Sequence, residues 1–197
     1  LLAAAYALGY LKEAGGSPTD NRDILTYARG LVARLVVSQR DDGGWSWCGG
    51  SAESDAYASS RALWALAEAR RQGISIHNET MEKALAYLKE AFARAEQADD
   101  DAKSVILHAL SHVGEADFAY ANRLYRNRNS LSPSALAYTA LVFVNLDRKE
   151  IGGEILDVLQ EKMAPSLDTS VETTALALLA MEAIRPNSPL VKQTVEY

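Results

Sequence analysis

Cys48 is the only cysteine in the 197-residue chain, and it sits in its most locally specified stretch, Ser38-Gln39-Arg40-Asp41-Asp42-Gly43-Gly44-Trp45-Ser46-Trp47-Cys48-Gly49-Gly50. A thiol reacts as its thiolate, which needs a neighbouring base or positive charge. Glycines and Ser51 follow Cys48 instead, so it reads as a semi-buried spectator, with a redox role the sharper alternative. His108 and His112 are spaced i, i+4, which sets two imidazoles on one helix face as a metal would want. The run is His-Ala-Leu-Ser-His, without the glutamate that a metalloprotease helix carries after its first histidine. Asp99-Asp100-Asp101 offers a carboxylate cluster, but three acids opening a helix are favoured by the helix dipole and need no ligand. Asp41, Asp42, Glu53 and Asp55 surround the glycines without the ligand periodicity of a calcium loop. No metal, cofactor or catalytic constellation is expected, and the chain reads as a non-enzyme.

Tyr27, Tyr57, Trp64, Tyr87 and Tyr138 could wall an aromatic cavity for an isoprenoid. In Ala/Leu surroundings at helical spacing they read as core residues. Aromatics are only 8% of the chain, thin for a cavity that stabilises cations. Net charge is −6 and the basic residues are scattered, which argues against a nucleic-acid face. One cysteine excludes an internal disulfide, and no apolar run approaches the roughly 20 residues that span a bilayer. The chain begins without Met inside an apolar helical pattern, as expected of a piece of a longer protein.

The elements that must position these residues are helices. Ala and Leu dominate, prolines number five, and a chain of this length buries about 70% of its unfolded surface. The spacing predicts ten helices. Leu1–Ala14 stops at Gly15-Gly16-Ser17-Pro18, and a second helix, capped by Asp20 or Asn21, runs to Gln39. Ser54 or Asp55 restarts the chain after the loop, and that helix stops near Gly73. Asn78 caps a fourth helix with the stripe Met81, Leu85, Leu88, Phe92. Helices over Ala102–Val113 and Glu115–Arg128 follow. Ser132-Pro133 is an N-cap with proline in the first turn, opening a seventh helix to Asp147. Lys149–Met163 is an eighth, weakened by Gly152-Gly153. Asp168 or Thr169 caps a ninth, Val171–Ile184, with Glu172 completing a capping box with Thr169. Asn187-Ser188-Pro189 opens a tenth. No segment alternates with period two, so no strand is expected beyond a short extended pair near the loop.

Alternate helices repeat one character. AYALGYL, SSRALWAL, SVILHAL, ALAYTALV and ETTALALL are small-residue and Leu-rich, while their partners are more charged, as in MEKALAYLKEAFARAEQ. A helix apolar nearly all round lies between neighbours and a one-striped helix lies outside. Five inner and five outer helices describe an all-α fold, an α/α toroid of about five helical hairpins, one short of a six-hairpin barrel. A solenoid of helix pairs is the competing architecture.

Gln39-x-x-Asp42-Gly43-Gly44-Trp45 matches the Gln-Trp turn of terpene-cyclase-like α/α toroids. Gln39 ends an outer helix where it can satisfy free terminal groups, the glycines permit a tight turn, and Trp45 packs across the helix ends. The surroundings are more specific. GGWSWCGGSAESDAYASSRALWALAEARRQGISI resembles the thioester domain of bacterial alpha-2-macroglobulins, as do GEADFAYANRLYRNRNSLSPSALAYTALVFVNLDRKE and TSVETTALALLAMEAIRPNSPLVKQTVEY. The resemblance covers essentially the whole chain, read as a single thioester-domain-like toroid. It implies part of a periplasmic or envelope protein that traps target proteases as a broad-range inhibitor and works with the other macroglobulin domains of its own chain. That family acylates its target through a thioester made by a Cys-x-Glu-Gln motif, which does not occur here; the family places it about where Leu1 begins. Cys48 lacks the glutamine partner. The alternatives are a lipid-processing toroid, cyclase or prenyltransferase, and a scaffold without a thioester. A prenyltransferase-type zinc site of Asp, Cys and His would need Cys48, Asp55 and a histidine, a forced match.

Overall fold

A computed structural model describes residues 1–15, 18–47, 53–96, 99–163, 170–186 and 188. Among them are nine α-helices: α1 (Leu2–Glu13), α2 (Pro18–Val37), α3 (Ala56–Arg71), α4 (Asn78–Arg94), α5 (Asp100–Ser111), α6 (Phe118–Arg126), α7 (Pro133–Asn145), α8 (Lys149–Met163) and α9 (Val171–Ile184), with a 3₁₀ turn at Arg128–Ser130. No strand occurs among the described residues. A single antiparallel bridge joins Trp45 to Asp55, the short extended pair anticipated beside the loop. The chain divides into two compact units, Leu1–Arg94 and Ala95–Tyr197.

In the first unit α1 packs on α2 and α3, and α3 on α4. The third helix is buried almost all round, from Ser59 and Ser60 through Ala62 to Ala69. Its partner α4 buries one stripe, but the stripe is set differently from the expectation. Thr80, Met81, Ala84, Tyr87, Leu88 and Ala91 are buried, while Leu85 and Phe92 are only half-buried. Small Ala84 and Ala91 let the helix approach closely, and the longer side chains cover the flanks.

In the second unit α7 is central and touches α5, α6, α8 and α9. Every residue from Ala135 to Phe143 is buried, whereas α6 buries only Ala121 and Leu124. Within each unit alternate helices therefore stack on one another and the helices between them lie outside, the alternation of an α/α toroid. Gly152 is buried where α8 meets α7. A Cβ there would lie 3.2 Å from the Ala140 carbonyl and 3.1 Å from Ile184, so Gly152, one of the pair that weakens α8 locally, lets it pack tightly.

Several ends follow local chemistry. Asp55, Asp99 and Ser132 cap α3, α5 and α7, each side chain accepting from the backbone N–H three residues on. Others depart from expectation. α2 begins at Pro18, so Asp20 and Asn21 lie inside it; a proline at the start of a helix sacrifices only a donor that would be free anyway. Asn78 is the first residue of α4, with its side chain accepting from Arg70 at 2.9 Å. α6 begins at Phe118 on the Asp117 cap, three residues later than expected. α9 is capped by Ser170, whose Oγ accepts from the Thr173 N–H at 3.1 Å. Glu172 accepts a 2.7 Å hydrogen bond from the Tyr138 hydroxyl of α7, and its expected capping-box partner Thr169 lies outside the described residues. Asp168, Thr169 and Pro189, with the expected tenth helix, lie outside the described residues, apart from Ser188.

Candidate functional site

The glycine–tryptophan stretch folds into a lock between α2, α3 and α4. Gln39 leaves α2 and its Nε2 donates to the carbonyl of Gly43 at 2.9 Å and to that of Thr80 in the first turn of α4 at 3.0 Å. One carboxamide thus ties its own turn to a distant helix. Gly43 has φ of +88° and lies so close to α4 that a Cβ would come 2.4 Å from the Lys83 carbonyl oxygen. No L side chain fits there without moving a helix. Gly44 is equally confined, since a Cβ would meet Ser54 at 2.5 Å. The Asp42 carboxylate closes the turn by accepting from the Gly44 N–H at 3.0 Å and from the Ser54 hydroxyl at 2.7 Å.

Trp45 is 4% exposed. Its indole N–H donates to the Leu35 carbonyl at 2.8 Å, an acceptor it shares with the Ser38 hydroxyl at 3.0 Å, and so ties the turn to the end of α2. Its backbone N–H donates to Ser59 Oγ at 2.8 Å, and Ser59 donates onward to the Asp55 carbonyl at 2.7 Å. Asp55 N–H returns to the Trp45 carbonyl at 2.8 Å. The Asp55 carboxylate accepts from Ala58 N–H and from the Trp47 indole at 3.1 Å. Tyr87 donates to the Ser54 carbonyl at 2.9 Å, and burial, with the nearby Asp42 and Asp55 charges, pushes its phenol up from the ordinary value. Gln39, Asp42, Gly43, Gly44 and Trp45 therefore come together as one structural turn. Ser59, Ser54 and Thr80 belong to it as well, although no motif marks them in sequence.

The other candidates are built differently. Cys48 lies outside the described residues. Asp99 is the α5 cap, Asp100 accepts from Tyr120 at 3.2 Å and Asp101 accepts from the Ser132 hydroxyl, so each of the three acids holds the second unit together. Trp64, Tyr87 and Tyr138 are core, and Tyr57 is half-buried beneath Trp47, their rings stacked at 5.8 Å. Tyr27 breaks the expectation at 65% exposure, because α2 turns that face outward. His77 is exposed at the rim of an open groove of about 520 Å³ lined by Val32, Val36, Ile74 and Ile76. His108 and His112 do face each other, with their Nε2 atoms 3.2 Å apart. Among the described residues no group of three His, Cys, Asp or Glu side chains converges, and no helix is long and apolar enough to cross a membrane.

Alternating helical hairpins joined by a Gln-Trp turn define the class of fold. No family model and no curated protein matches the sequence. Two solved structures share the fold. One is native alpha-2-macroglobulin from Escherichia coli spanning domain MG7 to the C-terminus, with a TM-score of 0.69 and 16% identity over 98% of this chain. The other is the trypsin-activated form of alpha-2-macroglobulin from Escherichia coli, with a TM-score of 0.68 and 17% identity over 99% of this chain. This chain spans 34% of the first and 14% of the second, so the likeness is to one region of a much larger protein. At such identities it establishes the fold.

Proposed function

We propose that this chain is the thioester-domain-like part of an alpha-2-macroglobulin-like, broad-range protease inhibitor exported to the bacterial envelope, and that it is not an enzyme. The observation that supports the reading most is the fold likeness to the Escherichia coli protein along 98% of the chain, with the Gln-Trp turn in place. In this reading the segment is a frame. The turn holds an outer helix against the inner row, and the nucleophile belongs to a Cys-x-Glu-Gln motif that is not in this sequence. The cyclase alternative draws on Asp99, Asp100 and Asp101, which here serve as a cap and as acceptors for Tyr120 and Ser132. The test uses the intact protein. It is treated with methylamine and free thiols are counted, then it is challenged with trypsin and adducts are sought on denaturing gels. Release of one thiol by methylamine and a covalent trypsin adduct support trapping. Neither result would leave a scaffold domain.

A further inference from the structure

We propose that His108 and His112 form a two-histidine chelate for a borderline divalent transition ion, represented here by Zn²⁺. The i, i+4 spacing alone would permit many ring orientations, but the structure turns both Nε2 atoms toward each other at 3.2 Å. A tetrahedral ion held at about 2.0–2.1 Å by two imidazoles sets their nitrogens about 3.3–3.4 Å apart. The pair is therefore already at chelating distance, and the rings, now edge to face, must turn so that both lone pairs meet at a shared ion.

The rings are held there from several sides. His108 is 2% exposed and lies against the Tyr138 ring of α7, centroids 5.2 Å apart. The Tyr138 hydroxyl is fixed in turn by Glu172 of α9. The backbone between the histidines is braced where Ser111 donates to the His108 carbonyl at 2.6 Å and accepts from Asn145 of α7 at 2.8 Å. His112 caps α5 with helical dihedrals, which keeps the spacing regular to the last residue. It is half-buried, so an ion between the rings is reached from its side and completes its coordination with water.

Without metal the pair is joined through one shared proton, one ring donating from Nε2 and the other accepting. On binding, both rings present a bare Nε2 and carry their protons on Nδ1, so the donor ring changes tautomer and no proton is lost. Since no third His, Cys, Asp or Glu joins the pair among the described residues, affinity rests on two protein ligands and should rank Cu²⁺ above Zn²⁺.

The test titrates the tag-free chain with Zn²⁺, which is redox-inert toward Cys48, and follows the histidine ring signals by NMR. Those of His108 and His112 should move together and saturate, while that of His77 stays put. His112→Gln, which can keep a hydrogen bond to His108, should fold normally by circular dichroism yet weaken Zn²⁺ binding at least about tenfold. Undiminished binding by His112→Gln, or His108 and His112 signals that ignore excess Zn²⁺, would overturn the proposal.

Discussion

Among the described glycines Gly43 carries the strictest demand, combining positive φ with backbone of another helix 2.4 Å from any added Cβ. Gly43→Ala should cost about 3 kcal/mol or more, read as a lowered urea midpoint, because strain and collision add. Gln39→Ala is milder. It leaves two carbonyls short of a donor and should cost about 1–3 kcal/mol. Tyr87 gives a pH-dependent test. Its phenol is raised in the fold, so the stability it contributes is complete below the unfolded value of about 10 and is lost as pH rises through the folded value. Tyr87→Phe should therefore be less stable than wild type by about 1 kcal/mol at neutral pH, where the Ser54 hydrogen bond is missing. The gap should narrow in urea melts at alkaline pH. What could be read in advance at this scale was the turn itself, since glycines and a helix-end glutamine declare their own backbone needs. The Thr80 carbonyl and the Ser59 hydroxyl could not be read, because they arrive from segments distant in sequence.

At the scale of elements, α8 poses a contrast between adjacent residues. Gly152→Ala would set a methyl against the Ala140 carbonyl at 3.2 Å, whereas Gly153→Ala meets only side-chain atoms, at 3.6 Å and 3.7 Å. Helix propensity favours alanine by about 1 kcal/mol at either site. Thermal melts should show Gly153→Ala raising stability and Gly152→Ala gaining nothing or losing. The existence of the nine described helices was legible because small-residue inner helices and striped outer ones carry different patterns. A lone candidate proved to be the cap at Ser132, whereas Asn78, equally alone, is the first residue inside α4. Before α9 the sequence offers Asp168 or Thr169, whereas the cap observed is the next residue, Ser170. Glu172 accepts from Tyr138, a partner from another helix that no local rule contains. The same limit hid the register of α4, where packing against the inner row selects Ala84 and Tyr87 over Leu85 and Phe92.

At the scale of the whole molecule, the proposed trapping function assigns no covalent role to Cys48. Cys48→Ser in the intact protein should leave methylamine-released thiol and trypsin adducts at wild-type levels. Loss of either would make Cys48 the nucleophile and reverse the reading of the turn as a frame. The sequence blocks imply an α/α toroid, and the likeness to the two solved structures, at 16% and 17% identity, is a likeness of that fold.

The placement of Trp45, Trp47 and Trp64 has an optical consequence. All three tryptophans belong to the first compact unit, and the second contains tyrosine and phenylalanine only. Indole emission is thus a private channel for one half of the chain, while far-ultraviolet dichroism sums the helices of both. Within that channel Trp47, 69% exposed, should be open to a collisional quencher that cannot reach Trp45 or Trp64. A single denaturant titration followed by both signals and by quenching separates opening of the turn, unfolding of its unit and loss of the remaining helices, without a label or a substitution.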